Sequence, residues 1–105
     1  MVGGRDRIIY DEQKISELLK SYKERKKIAL VCEKKDEEIE FLDKCIKSLE
    51  DYEKDLVEKV CIENISVRAY SRNSGFSRDF ITKRKKYLLE LISKFFNIIY
   101  EKNGN

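Results

Sequence analysis

Between residues 5 and 103 this chain has a single glycine, Gly75, and it sits between two short stretches of helical spacing in residues 66–86, SVRAYSRNSGFSRDFITKRKK. Ser66 can accept a hydrogen bond from a free backbone N–H, which caps a helix start, and Val67 and Tyr70, three apart, share one face of that helix. Asn73, Ser74 and Gly75 end it, because glycine takes the left-handed backbone with no Cβ clash. Phe76 follows as a plug for the turn. Ser77 then caps a second helix, over 77–88, with Ile81 and Leu88 turned inward. The spacing predicts two helices crossing over a tight turn, a helix-turn-helix. Its tight positions are Ser71, Gly75, Phe76 and Ile81. A small residue is needed at Ser71, where the helices cross closest, and serine fits there slightly less well than alanine.

On a wheel of about 100° per residue, Asp79, Thr82, Lys83 and Lys86 point away from Ile81, with Arg78 and Lys85 on the flanks. A helix face of that kind suits a major groove. Charge is divided accordingly. Residues 1–63 hold 14 Lys/Arg against 17 Asp/Glu, a net −3, whereas residues 64–105 hold 9 against 3, a net +6. Lys and Arg bind phosphates by releasing condensed counterions, so the positive half is the expected nucleic-acid side. Arg78, Asp79, Thr82, Lys83 and Lys86 are expected at base edges, and Arg68, Arg72, Ser77, Arg84 and Lys85 at phosphates. The plainer reading of the same pattern is a helical hairpin with a solvated basic face.

The run Asp55-Leu56-Val57-Glu58-Lys59-Val60-Cys61-Ile62-Glu63-Asn64-Ile65-Ser66, followed by the turn phrase Ser74-Gly75-Phe76-Ser77-Arg78, carries a resemblance. Residues 49–92 resemble, without a gap, region 4 of the sigma-70 family and the small phage and plasmid regulators built on it, such as the ArpU-like and RinA-like activators. The chain departs from that pattern at Asn64, where the family has glycine, at Ser71, where it has alanine, and at Asp79, an acid early in the second helix. The resemblance implies a sequence-specific transcriptional regulator of double-stranded DNA, of phage, prophage or plasmid type. It also implies RNA polymerase as a further partner.

Around this unit the chain reads as all-α. Charged residues make up 41% and proline is absent, a composition of exposed helices. Residues 1–10 are expected to be a flexible tail. Residues 11–48 are expected to form a charged helical region, and residues 49–105 the helix-turn-helix domain with an apolar helical extension. Asp11 caps a helix on which Ile15, Leu18, Leu19 and Tyr22 form one stripe. Lys23 to Lys27 reads as a solvated basic face, with contact to a DNA backbone as the alternative, and Ile28 to Cys32 as a short apolar run, a buried helical segment or a strand, with length and context favouring helix. Asp36 opens the next segment, with Ile39, Leu42, Ile46 and Leu49 inward. A break is expected at 48–51, where the apolar row passes to Leu56, Val57, Val60 and Cys61. Glu40 with Lys44, Asp43 with Lys47, Glu50 with Lys54 and Asp55 with Lys59 are acid-before-base pairs four apart, each worth a few tenths of a kcal/mol.

The last helical stretch carries Leu88, Leu91, Ile92, Phe95, Phe96 and Ile99, more apolar surface than one neighbour covers. It must pack on the N-terminal helix or on a second subunit, and a homodimer is the expected arrangement. Cys32, Cys45 and Cys61 are odd in number and each lies among apolar neighbours, so all three are expected as buried thiols. With no histidine, no phosphate-cradling loop and no nucleophile beside a base, the sequence offers no metal site, cofactor, small-molecule substrate or enzymatic activity. No aromatic stacking platform is visible in it. It also offers no membrane-length apolar run, and the expected location is cytoplasmic. The alternative function is a non-enzymatic helical factor acting on a host polymerase or other enzyme without reading DNA.

Overall fold

The computed structural model describes residues 9–103. Five helices follow one another: α1 (Glu12–Val31), α2 (Glu37–Lys47), α3 (Asp51–Leu56), α4 (Val67–Ser74) and α5 (Arg78–Asn103), and α3 runs on as π-helical turns over Val57–Ile62. The protein is all-α, with no strand among the described residues. Helix starts are set by local hydrogen bonds. Asp11 Oδ1 accepts from the Lys14 N–H at 2.8 Å and Asp36 Oδ1 from the Ile39 N–H at 3.3 Å. Glu53 Oε1 reaches back to the Glu50 N–H at 3.1 Å to open α3. Each satisfies a donor that has no partner inside its own helix.

The inward rows expected from periodicity meet in one core. Ile15, Leu18 and Leu19 of α1, Ile39 and Leu42 of α2, and Leu56, Val57, Val60 and Cys61 are buried with Ile81, Leu88, Ile92 and Phe96 of α5. Residues 11–48 and 49–105 therefore share that core and do not build separate ones. Polar clasps fix the helices around it. The Arg25 guanidinium donates to Asp36 at 2.8 and 2.9 Å and to Glu38 at 3.0 Å, holding α1 against the start of α2. The Tyr22 hydroxyl donates to Asp43. The Asn97 side chain pairs with the Tyr10 backbone in both directions, at 3.0 and 2.9 Å.

Four expectations change. The tail expected over 1–10 falls on residues 1–8, which lie outside the described residues, and on Tyr10, which belongs to the core. The Tyr10 ring packs 4.8 Å from Phe96 and 5.4 Å from Tyr100, centroid to centroid. Secondly, the second helix of the turn and the apolar extension are one rod, α5. Its apolar side is covered within the chain: Leu88, Ile92 and Phe96 are buried, Leu91, Phe95 and Ile99 half-buried, and Phe41 of α2 stands edge-on to Phe96 at 4.8 Å. Ile98, on the same stretch, is 58% exposed.

Thirdly, Ile28, Leu30 and Val31 are 51, 78 and 76% exposed. The run is helical as expected, but α2 starts back at the level of Arg25, where Asp36 is clasped, so the last turn of α1 overshoots the body. Cys32 is exposed with it. Cys45 and Cys61 are buried, and burial pushes the Cys45 thiol up to about 11 and raises the Cys61 thiol. Finally, two of the four expected pairs four apart, those of Asp43 and Asp55, give way to tertiary partners. Asp43 takes Tyr22 and Lys26, and Asp55 takes the Tyr70 hydroxyl.

Two substitutions in apolar runs separate these environments. Phe96→Ala should destabilise the fold by about 3–5 kcal/mol through lost contacts and a cavity, and Leu30→Ala should stay within about 0.5 kcal/mol. Urea unfolding followed by circular dichroism measures both, and a large loss at Leu30 would mean that the tip of α1 is packed in solution.

Candidate nucleic-acid interface

The unit made by α4, the turn at Gly75, Phe76 and Ser77, and α5 is built from short-range bonds. Ser66 Oγ accepts from the Ala69 N–H at 3.1 Å and starts α4; Ser77 Oγ accepts from the Phe80 N–H at 3.1 Å and starts α5. Gly75 has φ +87 and its N–H bonds to the Ser71 carbonyl at 3.1 Å, closing α4 with a left-handed residue. A further bond was not foreseen. The Ser71 hydroxyl donates to the Phe76 carbonyl at 2.6 Å, bracing the turn from α4. Serine at that position is thus a gain in hydrogen bonding where alanine would only fit.

Upstream, the π-helical turns end at Ile62, and Asn64, with φ +63, then reverses the chain into α4. The Ile65 N–H reaches back to the Lys59 carbonyl at 2.8 Å across that reversal. Asparagine is among the few non-glycine residues that enter the left-handed region at modest cost, which accounts for Asn64 at this reversal. Tyr70 of α4 is buried and its hydroxyl donates to Asp55 Oδ2 at 2.7 Å, anchoring α4 to α3. Burial first, and then that bond, push the Tyr70 phenol up to about 12.

The side chains assigned to the outer face of α5 stand where periodicity puts them. Arg78, Asp79, Thr82, Lys83 and Lys86 are exposed, whereas Ile81 and Leu88 are buried behind them. Asp79 and Lys83 form an ion pair at 3.2 Å, with both side chains more than three-quarters exposed, a contact worth a few tenths of a kcal/mol at most and easily exchanged. Lys86 lies at the other end of the face, near the first turn of α1. The Glu12 carboxyl there is raised by desolvation and by hydrogen bonding to Glu90, and Lys86 pulls it the other way. Arg68, Arg72 and Ser77 are exposed along α4 and the turn.

Two of the residues expected at phosphates are placed differently. Lys85 is half-buried on the inner flank, within electrostatic reach of Cys61. Arg84 is engaged with the body of the protein: its Nη1 lies 3.5 Å from Oε2 of the buried Glu53, and its guanidinium stands 5.1, 5.5 and 6.0 Å from the centroids of Tyr87, Phe80 and Tyr52. Phe76 is half-buried and packs 5.0 Å from Phe80 and 5.8 Å from Tyr52, so the plug is part of this cluster. An aromatic surface therefore flanks the basic face. It escaped the sequence because Tyr52 arrives from α3; the spacing Phe80, Arg84, Tyr87 was the available signal.

Beside that flank runs a cleft of about 460 Å³ lined by Ser77, Asp79, Phe80, Lys83, Arg84 and Tyr87. Among the described residues there is no group of three His, Cys, Asp or Glu placed to hold a metal, and no helix long and apolar enough to cross a membrane. Comparison of the chain with protein-family models, with curated proteins and with solved structures finds no match.

The turn and its anchor each generate an expectation. Gly75→Ala should cost about 1–2 kcal/mol, the price of a left-handed backbone for an L-residue, because the added Cβ meets nothing within 4 Å; Gly75→Asn should cost less, and a neutral alanine in chemical unfolding would contradict the turn. Tyr70 makes stability depend on alkaline pH. Its contribution is whole below the unfolded-state value near 10 and fades as pH rises through about 12, since the unfolded chain gives up the proton first. Tyr70→Phe should therefore be less stable than the parent at neutral pH and lose less between pH 10 and 12, and parallel stability curves for the two proteins would refute the assignment.

Proposed function

We propose that this protein is a sequence-specific double-stranded DNA-binding regulator of transcription, with α4, the Gly75 turn and the first half of α5 acting as a helix-turn-helix whose residues 77–88 enter the major groove. The observation that carries this reading is the division of α5 by its own core: Ile81 and Leu88 are buried while Asp79, Thr82, Lys83 and Lys86 are exposed on the opposite side, with Arg78 exposed on the flank. A convex helix carrying donors, one acceptor and a threonine methyl is chemically equipped for base edges. Arg68, Arg72 and Ser77 stand along α4 and the turn, where flanking phosphates would lie. The phage or plasmid setting, and contact with RNA polymerase, rest on the resemblance of residues 49–92 to sigma-70 region 4.

One observation favours a second reading, a helical factor that binds another protein without touching DNA. It is the apolar tip of α1, where Ile28, Leu30 and Val31 are more than half exposed together. Salt separates the two, because binding to duplex DNA through phosphates weakens steeply between about 50 and 200 mM salt.

Selection of bound fragments from random duplexes, followed by anisotropy titration of the selected site, tests the first reading. Lys83→Ala and Lys86→Ala should each weaken the selected site by roughly tenfold and relax its sequence at one position. Arg72→Ala should weaken all duplexes alike and reduce the slope of log affinity against log salt by about 1. If the Lys83 and Lys86 variants bind as tightly as the parent, the outer face of α5 does not read DNA.

A further inference from the structure

The geometry points to a second binding site on α5, adjoining the groove-facing side and sharing Ser77, Asp79 and Lys83 with it: the cleft beside Tyr87 takes an unpaired nucleobase with its phosphate, as presented by single-stranded nucleic acid. Three observations converge there. The first is an aromatic floor. Phe80 and Tyr87 lie seven residues apart on one flank of the helix, Tyr87 is 48% exposed, and Tyr52 and Phe76 back Phe80 from other elements. The second is the Arg84 guanidinium, held 5.1 Å from the Tyr87 centroid and 3.5 Å from Glu53. A fixed guanidinium plane and a tyrosine ring are both surfaces on which bases stack, and neither has to be ordered at the moment of binding.

The third is the charge at the rim. Lys83 and Ser77 line the same cleft, the lysine with an exposed ammonium and the serine with a hydroxyl proton free to donate, since its oxygen accepts from the Phe80 N–H. Both suit a phosphate one sugar away from a stacked base. Asp79, the single acid in the cleft, is already matched by Lys83 at 3.2 Å. The volume, about 460 Å³, falls within the range of ligand clefts, about 300–1,000 Å³. Aromatic stacking explains why these rings stay at a surface beside a basic helix face when the core has Phe96 and Tyr10 fully enclosed.

Short fluorescein-labelled single strands of DNA and of RNA, an intact duplex, and free nucleoside monophosphates are titrated against the full chain by anisotropy or, for the monophosphates, by tyrosine fluorescence, which no tryptophan obscures. The single strands should bind, Tyr87→Ala should weaken them on the order of tenfold, and Tyr87→Phe should restore the parent affinity because stacking needs the ring and not the hydroxyl. Intact duplex should be unaffected by Tyr87→Ala, a residue outside the groove-facing set. Binding of the monophosphates would identify the source as a free nucleotide, and binding of strands alone would identify a polymer. The inference is overturned if the parent binds neither, if Tyr87→Ala binds like the parent, or if it loses single strand and duplex equally. Failure of duplex binding with single-strand binding intact would sink the groove reading and leave this site standing. Circular dichroism of each variant controls for folding.

Discussion

The structure depends on one helix having two jobs along a single axis. The inner row of α5, Ile81, Leu88, Ile92 and Phe96, is fully or almost fully buried from one end to the other. Its first half backs the turn at Gly75, and its second half is the pillar whose Phe96 and Tyr100 rings pack against Tyr10 and Phe41. Twenty-six residues without a break span about 39 Å at 1.5 Å per residue, most of the 49 Å long axis of the protein. Burial of that row is what ties the N-terminal helices to the basic face, because α1 meets both α5 and the π-helical turns before α4.

The polar contacts around the pillar do something different from holding it up. Ion pairs such as Arg25 with Asp36 are partly solvated, and pairs of that kind contribute little net stability. Their geometry is directional, however, and a forked guanidinium accepts few alternatives. Arg25 sets where α2 returns along α1; Arg84 sets how α3 lies on α5; Asn97 sets where the chain before α1 is pinned. Hydrophobic burial supplies the stability, and these three side chains select one arrangement among the packings that burial alone would permit.

That division explains what the sequence disclosed. Caps at Asp11, Ser66 and Ser77, the left-handed Gly75 and the inward rows are local signals, each set by residues within about one turn, and they read directly. Exposure of Ile28, Leu30, Val31 and Cys32 did not, because it follows from the level at which Arg25 captures Asp36, a contact eleven residues apart in sequence. The unity of α5 was hidden by composition: a cationic run over 83–86 gives way abruptly to leucines and phenylalanines, which looks like a boundary although the helical phase of Ile81, Leu88 and Ile92 continues through it. Asp43 and Asp55 were assigned to lysines on their own helices, yet tyrosines from neighbouring helices reached them first. The aromatic flank was signalled within α5 only by the spacing of Phe80, Arg84 and Tyr87, and its completion required Tyr52 from α3.

An unbroken helix also limits how the outer face can work. A hinge between the reading half and the packed half would let the basic face adapt to whatever it met, with an ordering cost on each encounter. No such hinge exists in α5, whose inner row is packed on both sides of Leu88. Lys83 and Lys86 are free to move as side chains, but their backbone is held by the same core that encloses Phe96. Adaptation is left to side chains and to the partner, which is the regime in which preorganisation favours discrimination over promiscuity. The exposed row Asp79, Thr82, Lys83 and Lys86 and the aromatic flank then stand at a fixed angle of roughly a quarter to a third of a turn on one cylinder.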